Sequence, residues 1–218
     1  MPQFKSGTKE RIVEASVKLF AQQGFSATST REIARLADVN ECTVFRYFPT
    51  KYDLFWTAVR SRLEHLCLGK ELDIALAKDE DPKKVVPRIV AFLVQTVTYH
   101  PELIRLIRFS LLEQQPTSQR LYRQDLSPIF QAILGYIERS IRRGALRSVD
   151  PSITTVGVLA TIFFQQGMYD LFLGAGPLFA NTDEAIAAYT TFWLQALIPE
   201  AEVNSAKLAR STAVGSNV

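Results

Sequence analysis

Apolar positions recur at three- and four-residue spacing from Ile12 to Leu197, the period of helices that bury one face. Ile12, Ala15, Ser16, Leu19 and Phe20 make the first stripe, opened by Thr8 as a cap and closed by Gly24 past its end. Phe25 follows as a core aromatic. Ser29 with Glu32 three residues on forms a capping box, and Ile33, Leu36 and Ala37 give the helix behind it one apolar face. Asp38 tolerates the left-handed geometry of a bend. Asn40 then caps a third helix through Phe48, and Pro49 discourages its continuation. Val44 and Phe48, one turn apart, face inward in that helix. Cys42 and Arg46 therefore point outward, flanked by Glu41 and Phe45 on one side and by Thr43 and Tyr47 on the other.

Thr50, with Asp53 at the N3 position, caps a long helix predicted from Lys51 to about Ala77. Lys78-Asp79-Glu80-Asp81-Pro82 is the clearest boundary, charged and then carrying a helix-starting proline. Beyond it the pattern predicts helices over Pro82–Tyr99, Pro101–Gln114, Ser118–Arg143 with a break or kink at Pro128, Pro151–Leu173 and Thr182–Leu197. Ala201 to Val218 is small, polar and aperiodic, and reads as a disordered tail. The expected fold is all-α. Its parts are residues 1–50, a connecting helix over 51–77, a larger helical domain over 78–199 and a tail over 200–218.

The outer face of the third helix carries an aromatic, an arginine, a tyrosine and a threonine, the equipment of a helix that lies in a DNA major groove. Spacing alone fits an ordinary helical hairpin equally well. Charge leans toward DNA. Residues 1–62 hold ten Lys/Arg against six acids, a net +4, whereas the remaining 156 residues carry −1. Such asymmetry favours a polyanion partner for the N-terminal part alone.

The residues that decide between the two readings run from Arg11 to about Val59. They are Leu19-Phe20-Ala21-Gln22-Gln23-Gly24-Phe25, then Thr30-Arg31-Glu32-Ile33-Ala34, Val39, Thr43-Val44-Phe45-Arg46-Tyr47-Phe48-Pro49-Thr50-Lys51 and Leu54-Phe55. This ordered set resembles the TetR family of bacterial transcription regulators. The resemblance implies a three-helix helix-turn-helix DNA-binding domain, followed by a larger helical domain for effector binding and dimerisation. It also implies DNA contacts from Thr30, Arg31, Glu41, Cys42, Thr43, Phe45, Arg46, Tyr47 and Lys51. Thr43, Tyr47 and Lys51 are expected to hold phosphates, and Arg31 and Arg46 to read guanine. Three positions depart from the family pattern. Glu41 puts an acid where a neutral or basic residue is usual, Cys42 adds bulk where Gly or Ala is common, and Phe45 lacks the hydroxyl of the more usual Tyr.

Aromatic residues spread over the later helices suggest an apolar cavity with polar groups at its edge. The expected lining is Phe92, Tyr99, Phe109, Phe130, Phe163, Gln166 and Tyr169, although most of these residue types serve simply as core. In the resembled family such a cavity holds a small, largely apolar effector that releases the protein from DNA. The last two helices are apolar nearly all round, so a subunit interface is their natural second wall. The expected homodimer contacts are Leu159, Phe163, Leu171, Tyr189, Phe192 and Trp193.

No catalytic constellation competes with this reading. His65 and His100 lie in separate helices without a ligand cluster, and there is no phosphate loop or nucleophile elbow. No enzyme activity, metal or cofactor is expected. Two cysteines, Cys42 and Cys67, suit a reducing cytoplasm, and the most apolar stretch, Val156–Phe164, is too short to span a bilayer. Two other readings share the fold. One is a regulator switched by a protein partner, and the other a helical carrier or enzyme without DNA binding.

Overall fold

The computed structural model describes residues 7–63, 70–112, 123, 126–173 and 178–199, without the side chains of 111–112 and 166–173. Among the described residues there are ten helices and no strand. They are α1 (Thr8–Ala27), α2 (Thr30–Leu36), α3 (Glu41–Tyr47), α4 (Lys51–Leu63), α5 (Lys70–Ala77), α6 (Pro82–Tyr99), α7 (Pro101–Leu112), α8 (Ser127–Arg142), α9 (Pro151–Leu173) and α10 (Thr182–Leu197). They fall into two compact units: residues 1–67 with 99–128, and residues 68–98 with 129–218.

In the first unit the expected caps form, with one exception. Ser29 accepts from the Glu32 amide while Glu32 accepts from the Ser29 amide, closing the capping box of α2. Thr50 and Asp53 do the same at the start of α4. Asn40 caps α3 through the Thr43 amide at 2.9 Å. At α1 the N-cap is Gly7 rather than Thr8, and no side chain caps it. Asp38 takes φ 55°, the left-handed bend the sequence calls for.

Gly24, at φ 80° and ψ 174°, breaks the path of α1 three residues before its nominal end. A side chain there would be strained by the backbone and would meet the Phe109 ring at 3.0 Å. The break turns Phe25 into the core. Its ring stacks on Tyr52 at 4.3 Å and meets Phe55 edge-on at 5.4 Å. Around these rings Ile12, Phe20, Ile33, Val44 and Leu54 are almost completely buried.

Leu103 and Leu106 of α7 complete the same cluster, so α7 packs with α1 and α4 although the sequence boundary falls twenty residues before it. Arg62 of α4 fastens this arrangement. Its guanidinium donates to both carboxylate oxygens of Glu14, at 2.8 and 2.6 Å, and reaches Glu102 of α7 at 3.4 Å. The hydrogen bonds to Glu14 hold its pKa above the ordinary arginine value.

The second unit builds its core from α5, α6, α8, α9 and α10, with Tyr136 and Ile133 fully buried at the centre. The Tyr136 hydroxyl donates to the Glu80 carbonyl at 2.8 Å, and burial pushes its pKa up. Arg139 closes the end of α5. It donates to the Leu76 carbonyl and to Asp79, each at 2.7 Å. Arg147 likewise ties down the end of α10 through the Leu197 and Ile198 carbonyls. Pro128 is the second residue of α8, a first-turn position where a proline is tolerated. Of the predicted helix over Ser118–Arg143, residues 118–122, 124 and 125 lie outside the described ones. So do residues 64–69 of the predicted connecting helix, and the tail beyond Pro199.

Candidate nucleic-acid interface

The surface formed by α2, α3 and the start of α4 follows from which residues the core consumes. Ile33, Ala34, Ala37, Val44 and Phe48 are buried. What they leave outside is Arg31 and Arg35 on α2, and Cys42, Phe45, Arg46 and Tyr47 on α3. Phe45 and Tyr47 are 45% and 40% exposed, high for aromatic side chains in a unit with a filled core. The Arg46 guanidinium lies over the Tyr47 ring, 5.4 Å from its centre. Stacking of that kind holds an otherwise mobile side chain extended along the helix face.

Glu41 is not a free acid beside this face. It accepts from the Thr30 hydroxyl at 2.6 Å, a bond that spans the turn from α2 to α3. Whatever approaches this face meets the Glu41 carboxylate already engaged. Thr43 gives its hydroxyl hydrogen to Asn40 Oδ1 at 3.1 Å, so a phosphate at Thr43 has to displace that bond. Lys51 sits against the end of α1, its ammonium 4.5 Å from the centre of the Phe25 ring and 3.4 Å from the Ser26 carbonyl. Ser29 holds the Glu32 carboxyl below the usual range, first through its backbone amide and then through its hydroxyl. Cys42 is a free, exposed thiol.

All nine expected DNA-contacting residues thus lie on or beside one surface of the first unit. Sequence reading missed Arg35. It follows Arg31 by one helical turn and lines the same open groove as Arg31, Asn40 and Glu41. Its i, i+4 spacing was the available signal.

The residues expected to line an effector cavity are divided between the two units. Phe109 belongs to the first unit, beneath Gly24. Tyr99 is 65% exposed, and Phe92 and Phe163 pack against the core of the second unit. Phe130 is half-buried. The side chains of Gln166 and Tyr169 lie outside the described residues, as does that of Leu171 from the expected interface. Of the other interface candidates, Trp193 is buried, its ring against Gly157, because only a glycine leaves room there. Leu159 and Tyr189 also pack on their own core. Phe192 is exposed, together with Ile153, Val156 and Phe164.

Residues 12–56, which span α2, α3 and parts of α1 and α4, match the bacterial regulatory proteins of the tetR family. Over these residues the chain carries the N-terminal domain of the TetR family. It is similar to the HTH-type transcriptional repressor NicS of Pseudomonas putida, 29% identical over 109 residues that make up 49% of this chain and 50% of NicS. It is 53% identical over 47 residues to the probable HTH-type transcriptional regulator YttP of Bacillus subtilis, covering 22% of this chain and 23% of YttP. The match therefore spans half of NicS and about a quarter of YttP. Among solved structures, AibR in complex with isovaleryl coenzyme A and operator DNA superposes with a TM-score of 0.67 at 15% identity, over 85% of this chain and 97% of that one. At that identity the likeness is one of fold. No helix among the described residues is long and apolar enough to cross a membrane.

Proposed function

We propose that this TetR-family chain is a DNA-binding transcriptional repressor that reads a palindromic operator as a homodimer and is released by a small, largely apolar effector. The observation that carries the reading is the outer face of α3. Phe45, Arg46 and Tyr47 are exposed there on a seven-residue helix whose opposite side is consumed by the core. A folded unit gains nothing by leaving two aromatics in water, whereas a major groove offers thymine methyls to one and phosphates to the other. Arg46 supplies the bidentate donor that distinguishes guanine. Arg31, Arg35 and Lys51 supply the positive rim that positions the helix on the backbone.

Homodimerisation is supported by the apolar stripe left on α9 and α10, and a repressor role by the likeness to NicS. The second domain, over 78–199, and the connecting segment over 51–77 would couple effector to DNA. Two reading heads must stand about 34–36 Å apart to enter successive major grooves, so a small tilt of that segment suffices for release. Selection of binding sites from random duplexes, followed by footprinting, tests the reading directly. It predicts an inverted repeat with half-sites one helical turn apart. Recovery of no preferred sequence would remove DNA recognition, and the helical carrier or enzyme would then lead. Native mass spectrometry on protein from its own host looks for the effector. A retained protein rather than a small molecule would favour the partner-switched regulator.

A further inference from the structure

The second unit contains a cleft of about 300 Å³ between α6, α9 and the start of α10. That is the lower end of the range for small-molecule sites. Val94 and Val97 of α6 and Ile162 of α9 form its apolar wall, and the Phe179 and Tyr189 rings meet edge-on across it at 5.5 Å. No charged side chain is among the described residues that line it. By contrast, the hollow around Tyr136 and Ile133 deeper in the same unit is only about 10 Å³, too small for a ligand.

Three polar groups around the cleft are already engaged. The Thr98 hydroxyl donates to the Val94 carbonyl at 2.9 Å. Asn181 accepts the Glu184 amide as the cap of α10, and the Tyr189 hydroxyl reaches the Thr161 carbonyl at 3.3 Å. The Gln165 amide nitrogen is buried in the wall and finds no hydrogen-bond partner among the described residues. A buried donor left unpaired is costly, and native proteins seldom keep one without a use. A carboxylate is a poor match for it, since desolvating an anion against one neutral amide is not compensated. A neutral carbonyl supplies the missing acceptor without that penalty.

We propose that this cleft, whose regulatory role rests on the ligand-responsive reading above, takes a compact, uncharged ligand with a carbonyl oxygen placed on the Gln165 amide nitrogen. The body of the ligand lies against Val94, Val97 and Ile162, and an aromatic ring in it stacks against the Phe179–Tyr189 pair.

Acetophenone, ethylbenzene and benzoate test this on the full chain. They share a ring and differ in carrying a neutral acceptor, no acceptor or a charge. Calorimetric titration should show acetophenone binding roughly tenfold more tightly than ethylbenzene, the worth of one buried neutral hydrogen bond. Benzoate should bind no better than ethylbenzene. Gln165→Leu keeps the wall and removes the donor, so it should bind the ketone and the hydrocarbon alike. Val97→Phe, at a half-buried position, fills the cleft and should abolish both. Equal affinities in the wild type, no acetophenone binding at millimolar concentration, or a ketone preference that survives Gln165→Leu would each overturn the assignment. Operator affinity is measured alongside. Acetophenone bound through Gln165 that leaves operator affinity unchanged upholds the cleft and removes the release mechanism instead.

Discussion

The Thr30 hydroxyl and the Glu41 carboxylate are joined by a 2.6 Å hydrogen bond across the turn between α2 and α3. It fixes the first residue of the recognition helix to the first residue of the helix before it. The turn itself is short, with Asp38 left-handed and the Val39 amide returned to the Ala34 carbonyl at 3.0 Å. Glu41 is therefore a brace between the two helices, and it leaves a negative charge on the surface proposed to meet phosphates.

Separating brace from charge gives the first prediction. Glu41→Gln keeps an acceptor for Thr30 and removes the charge, so affinity should rise for every duplex, by roughly threefold to tenfold at low salt. Thr30→Val frees the carboxylate and should lower affinity. Fluorescence anisotropy with operator and random duplexes over a salt series checks both. A Glu41→Gln protein that loses affinity at one base position only would show that Glu41 reads a base.

Arg46 and Lys51 should fail in different ways. Arg46→Ala is expected to cost about 1–3 kcal/mol on the operator and to relax sequence choice at one position per half-site. Lys51 stands beside the Phe25 ring at the end of α1. Lys51→Ala should weaken all duplexes alike and lower the salt slope by about one. Binding-site selection on each variant distinguishes them. An unchanged specificity profile for Arg46→Ala would take it out of base readout.

The build of α2, α3 and the start of α4 was legible in the sequence because every decision in it is local. Ser29 with Glu32, Asp38, Asn40 and the Thr50–Asp53 pair are all settled within four residues, and the buried face of α3 follows from Val44 and Phe48. What was not legible depends on which surfaces meet. Periodicity shows that Leu103 and Leu106 are buried, but not that they join the core of α1 and α4. The same holds for Trp193, whose place inside its own protomer depends on Gly157 leaving room for the indole. Aromatic residues identify volume to be filled, so a cavity lining chosen from them includes core positions such as Phe92 and Phe163 and none of the described residues that line the cleft. Nothing in the sequence singles out Gln165, since an unpaired donor is visible only once the surrounding partners are known.

Burial pushes the Tyr189 hydroxyl up to about 12, from an ordinary value near 10. The folded protein therefore holds this proton where the unfolded chain has lost it. The resulting stability is fully present below about pH 10 and is lost as pH rises from there through about 12. Tyr189→Phe removes the titrating group, so the fall in melting temperature over that window should be shallower than in the wild type. Denaturation scans between pH 9 and pH 12 follow it, and parallel curves for the two proteins would mean that Tyr189 ionises as easily folded as unfolded.

The last prediction concerns the stripe that the second unit leaves uncovered. Ile153, Val156 and Phe164 lie on one side of α9, and Phe192 on α10 is 56% exposed although its ring meets Trp193 edge-on at 5.2 Å. Ala188 and Ala196, one turn either side of Phe192, are exposed as well. Small residues flanking a large one let two such helices approach closely across a two-fold axis, where each copy contributes the same patch. Phe192→Asp removes an apolar anchor and places an unpaired charge in the seam twice per dimer, which should weaken association at least a hundredfold. Because Phe192 is already open to solvent in the protomer, the variant should keep its helical content and melt as a monomer. Its binding to an isolated half-site should match the wild type, while binding to the palindrome should be lost at concentrations that saturate the wild type. Sedimentation velocity and circular dichroism on the same samples decide the matter. A wild type that stays monomeric at micromolar concentration removes the dimer. A Phe192→Asp protein that remains dimeric while Ile153→Asp falls apart would move the interface off α10 and onto α9 alone.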